Sequence, residues 1–126
     1  MDSKDQKTYQ IIEVKDVSHA NAKRYNCEVL IQEGLSKEQI KEIIVEITEN
    51  LKDYNIFRND ILRKIHTGKK SQCIWLCIAD KKENLVLPEW FCLSLWIDPA
   101  LPDEYRPMGL GGDDKTLDIE VLWCNK

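Results

Sequence analysis

The chain reads as one α+β domain in which a long amphipathic helix rests on a mainly antiparallel sheet of about five strands, in the order β-β-α-(α)-β-β-β. Three observations predict this. Apolar residues recur at helical spacing in a single stretch, 37–52, and alternate or run continuously in short segments elsewhere. The strand-like segments are grouped around the helical ones rather than alternating with them one by one, which favours α+β over a parallel α/β sheet. At 126 residues there is room for one hydrophobic core and not for two.

Residues 1–7 are polar and read as a disordered tail, with residues 8–126 forming the domain. Tyr9-Gln10-Ile11-Ile12-Glu13-Val14 has strand composition and gives way to a polar turn over 16–21. In Arg24 to Ile31, Tyr25, Cys27, Val29 and Ile31 alternate with mostly polar neighbours, the period of a strand with one buried face. Ser36 and Gln39 then form a capping box, in which each satisfies an otherwise orphaned backbone N–H, and Leu35 can staple onto Ile40. Ile40, Ile43, Ile44, Ile47 and Leu51 make one stripe of a helix over 37–52, while Lys37, Glu38, Lys41, Glu42, Glu46 and Glu49 populate the remaining surface. Asn59 can cap a short helix over 60–66 that stops before Gly68. Cys73 to Ala79 and Trp90 to Ile97 are nearly continuous apolar runs, the second ended by Asp98-Pro99. After a long loop, 100–115, Leu117 to Trp123 alternates as a last strand.

Parity along the last three strands sorts their side chains onto two faces. Ile74, Leu76 and Ile78 would share a face with Phe91, Leu93, Leu95 and Ile97 and with Ile119, Val121 and Trp123, and this face would seat the helix. The other would carry Cys73, Trp75 and Cys77, then Trp90, Cys92, Ser94 and Trp96, then Asp118, Glu120, Leu122 and Cys124. So aromatic a surface is unusual for a sheet facing water. Either the short helix or the 98–116 loop covers it, or it is an interface, with Trp75, Trp90, Trp96 and Leu122 as the anchoring residues. A small-molecule pocket on the same face is a third reading.

Charge and composition narrow the function classes. The net charge is −4 and the basic residues are interleaved with acids, so a nucleic-acid partner is not expected. No run of 18 to 20 apolar residues suggests a membrane helix. The polar start lacks a secretory pattern, so a cytoplasmic location is expected. Cys27, Cys73, Cys77, Cys92 and Cys124 are odd in number and lack the knuckle spacing of a zinc site, and are expected to be reduced thiols with no metal or other cofactor.

Motif fragments point weakly to chemistry. Glu13-Val14-Lys15 has the E-x-K form of a nuclease centre, but only Asp2 and Asp5 precede it as possible second acids. Gly109-Leu110-Gly111-Gly112-Asp113-Asp114 lacks a following helix and places acids where a phosphate would sit, and Thr67-Gly68-Lys69-Lys70-Ser71 is only part of a phosphate loop, so both read as turns. Asp103, Glu104, Asp113, Asp114, Asp118 and Glu120 are the candidate ligands of a divalent cation, without EF-hand spacing. His19 and His66 are the two histidines. His66, at a helix C-terminus, sits favourably when protonated.

The stretch from Asp16 to Tyr25, followed by Leu35-Ser36-Lys37-Glu38-Gln39-Ile40, resembles the opening of small bacterial α+β domains that carry no assigned activity. That resemblance implies a bacterial or phage origin and nothing about chemistry. The expectation is therefore a non-enzymatic module that binds a protein partner or a second copy of itself. The alternative is a small metal-dependent hydrolase or nuclease built on the acidic 98–120 region.

Overall fold

The computed structural model describes residues 8–86 and 89–124, so the expected tail over 1–7 lies outside the described residues. The elements in order are β1 (Tyr9–Asp16), β2 (Arg24–Ile31), α1 (Lys37–Leu51), α2 (Asp60–His66), β3 (Cys73–Ala79), α3 (Glu83–Val86), β4 (Cys92–Ile97), a 3₁₀ turn (Asp103–Tyr105), β5 (Asp114–Thr116) and β6 (Ile119–Trp123). They form a single mixed sheet of six strands in the spatial order β1-β2-β3-β4-β6-β5.

Two features correct the sequence expectation. First, β2 and β3 run parallel, while the remaining neighbours are antiparallel. A parallel pair needs a long crossover, and the stretch carrying α1 and α2 supplies it. Second, β5 is a sixth strand drawn from what reads as loop. It comprises Asp114, Lys115 and Thr116, too short and too polar to show a period. The hairpin that joins it to β6 has a two-residue tip, Leu117-Asp118, with Leu117 in the left-handed region at φ 54°. Primed turns match the strand twist but ask for positive φ, which a branched side chain resists.

The helix forms as the capping box predicts. Ser36 Oγ accepts from the Gln39 N–H at 3.1 Å, and Gln39 Oε1 accepts from the Ser36 N–H at 2.9 Å. Its stripe of Ile40, Ile43, Ile44, Ile47 and Leu51 is buried against Cys27, Val29, Ile31, Ile74, Leu76 and Ile78 of the central strands. Each such side chain contributes about 1.5–3 kcal/mol of gross burial energy. In α2, Asn59 Oδ1 accepts from the Leu62 N–H at 2.9 Å and caps the helix as expected.

The parity assigned to β4 is the reverse of that expected. The register pairs Ile74 with Trp96, Leu76 with Ser94 and Ile78 with Cys92, so Cys92, Ser94 and Trp96 face the helix and Leu93, Leu95 and Ile97 face away. An apolar strand carries no parity signal of its own, and its single polar residue misleads: Ser94 is fully buried and its hydroxyl has no hydrogen-bond partner. Polar side chains beneath the helix settle the choice. The Trp96 indole N–H donates to Asp118 Oδ2 at 3.0 Å, and the Trp123 indole N–H donates to Asp114 Oδ2 at 2.7 Å. Above each ring stands a lysine from one end of α1. Lys52 is 4.4 Å from the Trp96 centroid, and Lys37 is 5.1 Å from that of Trp123.

Two stability predictions follow from this packing. Leu117→Asn relieves the strained turn, and should raise the unfolding free energy by about 0.5–1 kcal/mol in urea titration. Removing the unpartnered core hydroxyls with Ser94→Ala and Thr48→Val should leave stability unchanged or raise it by about 1 kcal/mol, because each now carries an uncompensated desolvation cost. A drop of more than about 2 kcal/mol for either would mean that the hydroxyl is bonded after all.

Candidate functional site

The sheet face turned away from α1 is assembled by rows of cross-strand neighbours. One row runs Glu13, Glu28, Cys77, Leu93, Leu122, and the next runs Lys15, Asn26, Trp75, Leu95, Glu120, Lys115. Of the four residues expected to anchor an interface, Trp75 and Leu122 lie here and are half-buried. Trp96 does not: it is on the helix face and only 6% exposed, which removes it from any interface. Trp90 precedes β4, half-buried, and lines a separate polar cleft with Asp80, Asn84, Glu89, Phe91 and Cys124.

Part of this face is covered from within the chain and part is not. The loop after β4 roofs one end. Leu101 is buried against Ala22 and Cys73, and Trp75, Ile97 and Tyr105 pack around that cluster. Arg106 holds the roof in shape by donating to the carbonyls of Leu101 at 3.0 Å and Pro99 at 2.8 Å. The other end keeps Leu30, Cys77, Leu93 and Leu122 half-exposed in a contiguous apolar strip. Leu93 and Leu30 were not foreseen there. Leu30 could have been, since it is the one aliphatic residue on the outward parity of β2.

Charged residues rim the strip. Glu13 and Glu28 stand directly opposite each other, a repulsive pairing, and Lys15 offsets it by lying 3.2 Å from Glu28 and 3.9 Å from Glu13. The hydrogen bond that Lys15 donates to Glu28 raises the Lys15 pKa. The E-x-K sequence is thus an ion triplet on an edge of the sheet. Arg24 stacks 5.5 Å from the Trp75 ring.

The glycine-rich loop and four of the six acidic residues are engaged in structural contacts. Glu120 accepts from the backbone N–H groups of Leu110 at 3.0 Å and Gly112 at 2.8 Å, so an internal carboxylate occupies the place an external anion would take. Gly112 is required because a Cβ there would meet the Val121 carbonyl oxygen at 2.3 Å. Asp114 bonds Trp123 and pairs with Lys41 at 3.1 Å, Asp118 bonds Trp96, and Asp103 pairs with Arg106 at 3.4 Å. Among the described residues no three of His, Cys, Asp or Glu come together to hold a metal ion.

The thiols and imidazoles are equally unsuited to nucleophilic work. Burial pushes Cys27 and Cys92 up to about 12 and Cys73 and Cys77 up to about 11, so these thiols stay protonated at neutral pH. All five cysteines are unpaired by disulfides, three of them buried, with Cys124 exposed. His66 is buried, and its Nε2 lies 2.8 Å from the His19 carbonyl oxygen and donates to it.

No protein-family profile matches the chain, and no curated protein or solved structure matches it at a significant level. Among the described residues no helix is long and apolar enough to cross a membrane.

The Asp114 carboxylate gives a pH prediction. Hydrogen bonds from the Trp123 indole and Lys41 hold its pKa down at about 2, against about 3.9 in an unfolded chain. The folded state therefore binds fewer protons between these values. The stability this group confers is present above pH ~4 and lost as pH falls toward 2. Denaturant titrations from pH 5 to 2 should show a shallower loss for Asp114→Asn than for the wild type. Parallel curves would mean that Asp114 titrates normally.

Proposed function

We propose that the chain is a non-enzymatic interaction module whose open sheet face takes the apolar side of a protein partner. The observation that carries this reading is the strip of Leu30, Cys77, Leu93 and Leu122, left half-exposed beside a loop that covers the rest of the same face. Four adjacent apolar side chains on a flat β-surface offer burial without any polar group to recognise a metabolite, and their charged rim of Glu13, Lys15, Glu28 and Glu120 would fix orientation. Supporting this from the other side, Asp103, Asp114, Asp118 and Glu120 are engaged in structural contacts, and burial keeps Cys27, Cys73, Cys77 and Cys92 protonated.

A photo-crosslinking residue placed at Leu93 tests the reading in cells, with one at Glu42 on the exposed side of α1 as control. A discrete adduct is expected from position 93, reduced about tenfold or more by Leu122→Glu, since burying an unpaired carboxylate in such a contact is costly. An adduct of twice the chain's own mass would assign the face to self-association. No adduct beyond the control would remove the proposal.

A further inference from the structure

A different surface carries a second inference, independent of the open face. Among the described residues the sheet has two edges of unequal kind. The β5 edge is three residues long, and shortness protects it from pairing. The β1 edge is eight residues long and exposes Ile11 and Ile12 by 42% and 40%.

The ladder with β2 shows which of its amides point outward. Gln32 N donates to Thr8 O at 2.8 Å and Val17 N donates to Arg24 O at 3.0 Å, which fixes Thr8 and Val17 as residues bonded into the sheet. In an antiparallel ladder the bonded residues alternate. A bulge between Ile11 and Glu13 shifts the count by one, so Gln10, Glu13 and Lys15 turn inward and Ile11 and Val14 turn their N–H and C=O outward. Beyond this stretch Arg58 Nη1 already occupies the Asp16 carbonyl at 3.0 Å. Among the described residues the open edge is therefore the six residues 10–15.

We infer that this edge pairs with the same edge of a second copy, antiparallel about a two-fold axis between Ile12 and Glu13. The bulge makes that register self-consistent. Ile11 then faces Val14 of the second copy, each with outward amide and carbonyl and each on the helix side of the sheet. Gln10 faces Lys15, and Ile12 faces Glu13. No like charges lie directly opposite in this register; the two Glu13 side chains flank the axis on one face, each with Lys15 of its own copy 3.9 Å away, and the exposed isoleucines are covered at the centre of the pair. A two-fold axis perpendicular to the sheet keeps both copies of α1 on one side and leaves the apolar strip of the other face free. Six residues a side is a small interface, so the dimer is a weak and reversible one.

Sedimentation equilibrium across a concentration series tests this, with circular dichroism to verify each variant's fold. The wild type should show reversible dimerisation. Ile11→Pro removes an outward N–H without breaking the β1–β2 ladder, and should abolish it. Ile12→Glu places two like-charge contacts against Glu13 of the second copy, and Ile12→Lys places two attractive ones. Both remove the same apolar side chain, so the lysine variant should associate about fivefold or more tightly than the glutamate variant. Leu122→Glu should leave the dimer unchanged. A strictly monomeric wild type, a dimer indifferent to Ile11→Pro, or equal association of the two Ile12 variants would each overturn the inference. The Ile12 pair decides the matter even if Ile11→Pro fails to fold.

Discussion

Everything in this molecule is arranged around the contact between one face of α1 and the middle of the sheet. The stripe from Ile40 to Leu51 covers the two parallel strands, and those strands can be parallel only because the helix lies in the connection between them. The ends of the helix are fixed as firmly as its centre. Lys37 and Lys52 each lie over a tryptophan, and each tryptophan donates its N–H to an acid of the β5–β6 hairpin. One hairpin of the C-terminal region thereby reads the position of a helix formed far earlier in the chain. Trp96 and Trp123 bring large apolar area to the core, and each indole N–H finds the partner that burial demands.

That arrangement explains what was legible in the sequence. The helix was read to within a residue because its boundaries and stripe are local signals: a capping box, a staple and a 3.6-residue period. The caps of α2 and the strands β2 and β3 were readable for the same reason. What could not be read was long-range. The parallel pairing leaves no trace in the alternation of either strand. The orientation of β4 depends on where an indole N–H finds its carboxylate, 22 residues onward. The third Trp of the expected interface, Trp96, was lost to that single fact. Trp75 and Leu122 lie on the face turned away from α1 because β3 and β6 keep their expected parity, Trp75 under the roofing loop and Leu122 in the apolar strip, which Leu93 joins because β4 is reversed.

The acidic C-terminal third shows how composition can suggest chemistry that three dimensions then disperse. Read linearly, glycines among clustered carboxylates look like a site for a cation or a phosphate. Folded, each engaged carboxylate meets a different donor: an indole, a lysine, an arginine, a pair of backbone amides. Glu120 is the clearest instance, closing the loop that a ligand would otherwise organise. Among the described residues the apolar strip has no such internal claimant on its uncovered side, and the proposal of a binding module rests on that contrast.

The parallel seam between β2 and β3 has a kinetic meaning as well. On either side of it the sheet consists of antiparallel ladders, β1 with β2 and β3 with β4, β6 and β5. In these ladders β1 with β2, β3 with β4 and β5 with β6 are chain neighbours, and β4 reaches β6 across the loop and hairpin that follow it, whereas the seam must bring together segments separated by two helices and can close only after Cys73 to Ala79 has been synthesised. During synthesis, then, the β1–β2 hairpin and α1 emerge as a unit whose apolar faces have no central sheet to cover them. The second half of the chain behaves toward the first as a late-arriving partner would, and the native core is in that sense an interface closed within one molecule.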